Sequence, residues 1–143
     1  MIAACPFCNP DAARVFLRRQ YVFALWDGFP VSEGHALVVP HRHISTWFEA
    51  TADERVQLFG AIEAVCGIIR TRWNTDGFNV GINIGEAAGQ TVPHLHLHVI
   101  PRRHGDVPDP RGGVRHVIAG KGNYLVGGTS EAQGLFDSGA LGH

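Results

Sequence analysis

The stretch His94-Leu95-His96-Leu97-His98 alternates histidine with leucine and runs on into Val99-Ile100. Successive side chains of a β-strand point to opposite faces. The pattern therefore predicts a strand from Thr91 or Pro93 to Ile100, with Leu95, Leu97 and Val99 turned towards a core. The three imidazoles then share the other face, roughly 6.6 Å apart at a rise of ~3.3 Å per residue. That spacing lets one ring attack a phosphorus while a neighbour holds an oxygen or the leaving group. Two other readings stand beside it. The face could be an exposed one that happens to carry histidine, or it could be a metal site, since His-x-His on a strand converges on zinc or iron. A catalytic metal would want a third protein ligand, often a carboxylate, and Glu86 on the preceding loop is the nearest in sequence.

The rest of the chain supplies a scaffold for such a strand. Thr51-Ala52-Asp53-Glu54 is a capping box, in which Thr51 and Glu54 satisfy backbone donors reciprocally. Leu58, Ile62, Val65 and Ile69 follow at helical spacing, broadened by Phe59 and Cys66, and predict one long helix from Thr51 to Trp73. Tyr21–Trp26 and His35–Val39 read as two strands that pair across a Gly/Pro-containing loop, and Phe78–Ile84 as a third. Residues 85–90, with two glycines and no apolar stripe, read as a loop. Pro108, Pro110, Gly112 and Gly113 mark another, and from Gly127 the chain is rich in Gly, Ser and Ala, an expected mobile tail.

Composition narrows the function. The 143 residues suit one domain, and 45% hydrophobic with 17% charged residues is a globular balance. A formal net charge of −1 offers no overall attraction to nucleic acid or acidic membranes, so phosphate binding must be local. Nine histidines concentrate groups whose ordinary pKa lies near neutrality. Three cysteines argue against a disulfide framework. Met1–Cys5 faintly resembles a lipoprotein cleavage site but lacks a basic and an apolar region, and no apolar run approaches the ~20 residues of a membrane span. A cytoplasmic protein is expected. Cys5-Pro6-Phe7-Cys8 is half of a four-ligand zinc site; a redox role is the alternative, without a surrounding βαβ pattern.

Gly89-Gln90-Thr91-Val92-Pro93-His94-Leu95-His96-Leu97-His98-Val99-Ile100 resembles the signature of the histidine-triad family. Asp27, Gly34-His35, Val39-Pro40 with His43, and Asn83 match upstream positions in the same order. The resemblance spans roughly residues 5–102. It is nearest to bacterial diadenosine polyphosphate hydrolase-like members that carry an N-terminal Cys-x-x-Cys. It implies an α+β fold, a mostly antiparallel sheet with one long helix packed on it, in residues 1–110, with an extension over 111–143. It also implies a homodimer.

The resemblance further implies that His96 attacks the α-phosphorus of a nucleotide, forming a covalent nucleotidyl-histidine that water hydrolyses. His98 would donate to a phosphate or leaving-group oxygen. Thr91 would contact the phosphate with Gln90 beside it, and Asn83 would sit near the α-phosphate. His35 would help hold the triad, Asp27 would bind the ribose hydroxyls, and Phe7 and Leu25 would wall the base pocket. Arg102, Arg111 and Arg115 could reach a polyphosphate tail or simply meet solvent. Relatives with the Cys pair complete a structural zinc site with residues that match His43 and His94, and galactose-1-phosphate uridylyltransferases are similar in pairing a zinc-bound histidine with a nucleophile two residues on. Cys66 reads as core.

The activity so implied is hydrolysis of dinucleoside polyphosphates such as diadenosine tetraphosphate. A nucleoside phosphoramidase or nucleotidyltransferase with the same site, a nucleotide-binding protein with little turnover, and a metal-dependent hydrolase are the alternatives.

Overall fold

The computed structural model describes residues 4–125. The first three residues of the lipoprotein-like start and the tail from Gly127 lie outside that range. The chain divides into two compact units, one through Arg103 and one from His104.

The first unit is α+β, as the sequence leads one to expect. Its elements run β1 (Val15–Arg18), β2 (Val22–Trp26), β3 (Ala36–Pro40), α1 (Ala52–Arg72), β4 (Gly77–Ile82) and β5 (Leu97–Arg102), with 3-10 turns at Ala12–Arg14, Trp47–Glu49 and Glu86–Ala88. The five strands form one antiparallel sheet in the order β1-β2-β3-β5-β4. Strand β1 is an addition to the sequence reading. Four residues, Val-Phe-Leu-Arg, are too few to show a period.

Helix α1 begins as its capping box requires. Thr51 Oγ1 accepts from Glu54 N at 3.1 Å and Glu54 Oε1 accepts from Thr51 N at 2.9 Å, a cap that contributes about 1 kcal/mol. The Glu54 carboxylate is buried and takes the Arg42 guanidinium at 2.8 Å, which holds its pKa below the usual carboxylate range. Leu58, Ala61, Val65 and Ile69 form the buried stripe, with Ile62 and Cys66 partly covered. Phe59, expected to broaden the stripe, is 55% exposed and faces outward.

The sheet is covered on both faces, and the covering differs. Val22, Ala24, Ala36, Val38, Leu97 and Val99 pack with the helix stripe. Phe23, Leu25, Leu37 and Val39, the alternate residues of β2 and β3, pack instead with Cys5, Phe7 and Cys8. Burial on both faces explains why β2 and β3 read as continuous apolar runs rather than as alternating ones.

One expectation needs correction. The strand predicted from Thr91 or Pro93 begins only at Leu97, so His94 and His96 precede it and His98 alone of the three lies within β5. Local bonds draw the preceding residues out of the ladder: Leu95 N donates to Ile44 O at 2.7 Å, and both earlier imidazoles bond to backbone carbonyls. The alternation of faces survives without the ladder. Leu95 joins the helix-side core, and the His94 ring meets Cys5 and Cys8 on the opposite side. Likewise β4 ends at Ile82 rather than Ile84. Residues 85–90 enclose the turn Glu86–Ala88, bracketed by Gly85 and Gly89 at φ 87° and 88°, a backbone region that favours glycine.

In the second unit the arginines are occupied locally. Arg111 pairs with Asp109 at 3.0 Å, which lowers the Asp109 pKa to about 2. Arg115 Nε donates to Gly122 O at 3.0 Å, and its guanidinium lies over the Tyr124 ring. No helix among the described residues is long and apolar enough to cross a membrane.

Candidate active site

A cleft of about 320 Å³ opens on the sheet face opposite α1, beside the cysteine segment. His96, His98, His35 and Asp27 line its polar side, and Pro6, Phe7, Leu37 and Val92 its apolar side. The Phe7 ring lies 5.0 Å from the His96 ring and 5.8 Å from that of His94, centroid to centroid.

The partners of each imidazole set where its proton sits. His96 Nδ1 donates to the His94 carbonyl at 2.8 Å, which leaves the Nε2 lone pair free. Val31 N donates to His35 Nδ1 at 3.1 Å, so His35 carries its proton on Nε2. That Nε2–H points to His98 Nδ1 at 3.0 Å, with Asp27 Oδ2 at 3.3 Å. His98 therefore accepts at Nδ1 and keeps its proton on Nε2. The result is a nucleophile-capable nitrogen beside a neutral N–H donor.

Burial opposes protonation of His35 and His98. It is the largest influence lowering the His35 pKa, against a smaller opposing pull from Asp27. Burial also pushes His98 down to about 4, aided by repulsion from His96 and His35. An unfolded histidine protonates near 6.5. The stability tied to His98 is thus complete above about pH 6.5 and is lost as pH falls towards 4, because the unfolded chain takes up the proton first. After solvent screening of a ring that is not fully buried is allowed for, a loss of about 1 kcal/mol by pH 5 is expected from this one group. Urea unfolding at pH 7 and pH 5 checks it: the drop in stability should be smaller in His98→Asn than in the parent, and equal drops would refute the assignment.

A second cluster adjoins the cleft. Cys5 Sγ and Cys8 Sγ lie 3.5 and 3.6 Å from His94 Nδ1. His43 Nδ1 lies 3.2 Å from Cys8 Sγ and 3.1 Å from His94 Nδ1. Donors around a tetrahedral zinc are separated by roughly 3.3–3.8 Å, given its bond lengths, so this group could hold a metal ion. His94 Nε2 donates to Pro40 O at 2.9 Å, which turns the Nδ1 lone pair towards the other three donors. The cysteines form no disulfide.

The remaining predicted residues are placed unevenly. Thr91 reaches the cleft at an exposed rim position. Gln90 does not line it: its Oε1 accepts from Gly85 N at 2.9 Å and its Nε2 donates to Ser45 O at 2.8 Å and Val92 O at 3.1 Å. Asn83 follows β4, half-buried, outside the cleft lining. Leu25 is buried beneath the wall, where Leu37 forms the surface. Arg102 Nη1 donates to Asn79 Oδ1 at 2.6 Å across the β4–β5 pair. Sequence reasoning missed Arg14, Gly28, Phe29 and Val31, which complete the lining. Only the Gly-Phe-Pro-Val turn after Asp27 signals the last three, and nothing local marks Arg14.

Comparison with known proteins adds to this geometry. The family profile described as HIT domain matches residues 10–105. The bis(5'-nucleosyl)-tetraphosphatase [asymmetrical] of Schizosaccharomyces pombe is 36% identical over 97 residues, covering 68% of this chain and 53% of that protein. The AP-4-A phosphorylase of Mycobacterium tuberculosis is 34% identical over 102 residues, covering 71% of this chain and 52% of that protein. The chain thus spans about half the length of these curated relatives. The solved structure of a HIT family protein from Bacillus anthracis is 34% identical with a TM-score of 0.65, covering 71% of this chain and 75% of that one.

Proposed function

The chain belongs to the histidine-triad (HIT) family, and on that premise we propose that it hydrolyses dinucleoside polyphosphates, such as diadenosine tetraphosphate, at the α-phosphate through a covalent intermediate on His96. The observation that carries the reading is the His96 ring: its Nδ1 is tied to the His94 carbonyl, and its Nε2 is left free beside the cleft. The tetraphosphatase and AP-4-A phosphorylase names of two relatives support the substrate class.

In this mechanism His96 Nε2 forms a bond to the α-phosphorus as the bond to the leaving phosphate oxygen breaks. The positive charge that develops on the ring is held by the Nδ1–H bond to the His94 carbonyl. His98 Nε2–H donates to an oxygen of the transferring group, a stabilisation that needs no basic protein. Water then displaces His96 and releases the nucleoside monophosphate. Asp27 accepts from the ribose hydroxyls, Phe7 flanks the base and Thr91 meets the phosphate. His35 positions His98. Gln90 shapes the segment that presents Thr91, and Asn83 is assigned to the neighbourhood of the α-phosphate.

Cys5, Cys8, His43 and His94 are assigned to a structural zinc, whose chemistry would be that of a cross-link. Among the described residues, strand β4 sits at the sheet edge with one ladder side unpaired, which suits a homodimer built on that edge. A cytoplasmic setting suits free thiols at Cys5, Cys8 and Cys66.

The relative named a phosphorylase favours a second reading, in which phosphate rather than water resolves the intermediate. One experiment separates them. Diadenosine tetraphosphate incubated with the protein should give AMP with or without added phosphate, and acid-quenched protein should carry a nucleotidyl mass on the peptide containing His96. ADP formed only when phosphate is present would favour phosphorolysis. No turnover of any dinucleoside polyphosphate or phosphoramidate would leave only a binding protein.

A further inference from the structure

The cleft has an end that the reacting histidines do not reach. From His96, ring contacts and hydrogen bonds run through His98 and His35 to Asp27. Gly28 comes next, and the guanidinium of Arg14 lies over it. A β-carbon at Gly28 would collide with Arg14 Nη1 and lie 3.5 Å from Arg14 Cζ. The backbone beneath Arg14 is anchored, with Asp11 Oδ1 capping Ala13 N at 3.0 Å and Asp11 O accepting from Arg14 N at 3.0 Å. Arg14 Nε is nonetheless buried without a hydrogen-bond partner.

A guanidinium keeps its charge at all working pH values, and a buried donor without an acceptor is unfavourable. The Nη1 end of the same guanidinium lies at Gly28 on the cleft lining, where an occupant would supply acceptors. Phe7, Leu37 and Val92 give the same cleft an apolar side. A cleft that combines apolar walls with a planar fork of donors fits a planar heterocycle that carries two adjacent acceptors. Guanine presents that pair at O6 and N7, whereas adenine places an N6 donor where the second acceptor would be.

We propose that Arg14 reads the base, and that the cleft takes guanine nucleotides in preference to adenine nucleotides. The proposal rests on the nucleotide reading above and ranks the guanine-containing members of its substrate class ahead of the adenine-containing ones. It follows from the order of groups along the cleft: phosphate at His96 and His98, ribose at Asp27, and base at Gly28 and Arg14. Paired acceptors on a phosphate tail could also meet a guanidinium, so the test varies base and tail separately.

Calorimetric titration of the full chain with GMP, AMP, ADP and ATP makes the measurement. GMP should bind about 10- to 100-fold more tightly than AMP, the discrimination expected of a bidentate arginine–guanine pair. Arg14→Met should abolish that preference by weakening GMP more than AMP, and Arg14→Lys, which keeps charge but not the fork, should not restore it. Gly28→Ala, which displaces the guanidinium without removing it, should also erode the preference, so the result does not hang on one variant. Equal binding of GMP and AMP by the parent would overturn the base assignment and leave the nucleotide reading intact. An Arg14→Met effect that follows phosphate number instead of base would also overturn it. Binding of none of the four would overturn both.

Discussion

Replacement of His96 by glycine is expected to lower kcat on a dinucleoside tetraphosphate by about four orders of magnitude or more, while nucleoside monophosphate affinity changes only a few-fold. The asymmetry follows from the geometry. His96 is one of thirteen residues that line the cleft, and Phe7, Leu37, Val92 and Asp27 remain in place without it, so ground-state binding loses little. The covalent step loses its nucleophile altogether, because His98 Nδ1 already accepts from His35 and its Nε2 bears the proton. His98 therefore cannot substitute without breaking the network that places it. Steady-state kinetics with a separate binding measurement decides the matter: a variant that retains near-parental kcat removes the covalent mechanism.

The second large effect is expected at the cysteine cluster. Cys5→Ser and Cys8→Ser should each reduce metal content from about one per chain to little, and lower Tm by on the order of 10 °C. The cluster ties the N-terminal segment to residues 35 and more than 80 positions away, at His43 and His94. Loss of the tie should also raise KM more than it lowers kcat, since Phe7 lies between the two cysteines and forms a wall of the cleft. Elemental analysis of untagged protein, with thermal unfolding of parent and variants, provides the check. Metal-free protein whose Tm matches that of both variants would sink the metal assignment.

Helix α1 was readable almost to the residue, because its cap and stripe are local and independent signals that agree. Phe59 was not: it is 55% exposed and meets the Trp47 ring, a partner from the preceding turn that the helical period does not reveal. The strands β2 and β3 were legible as apolar runs, but a run buried on both faces carries no alternation to say which residue faces which layer. Gln90 shows a different limit. Its position beside Thr91 in the chain suggested a shared ligand, whereas three backbone partners, two in its own loop and one at Ser45, occupy its amide. Arg14 shows the converse, an unremarkable surface type in sequence that the fold brings into the cleft.

The alternating histidines mark the same division. Period-two spacing alone settled that the leucines and the imidazoles would part to opposite sides, because Cβ direction is a property of extended backbone. Tertiary structure alone made the three histidines unequal. Pro40 and the cysteine cluster engage His94, the His94 carbonyl holds His96, and His35 holds His98. Each of those partners, apart from the His94 carbonyl, comes from a distant part of the chain, and the proton position on an imidazole is set by whichever partner the fold brings to its other nitrogen.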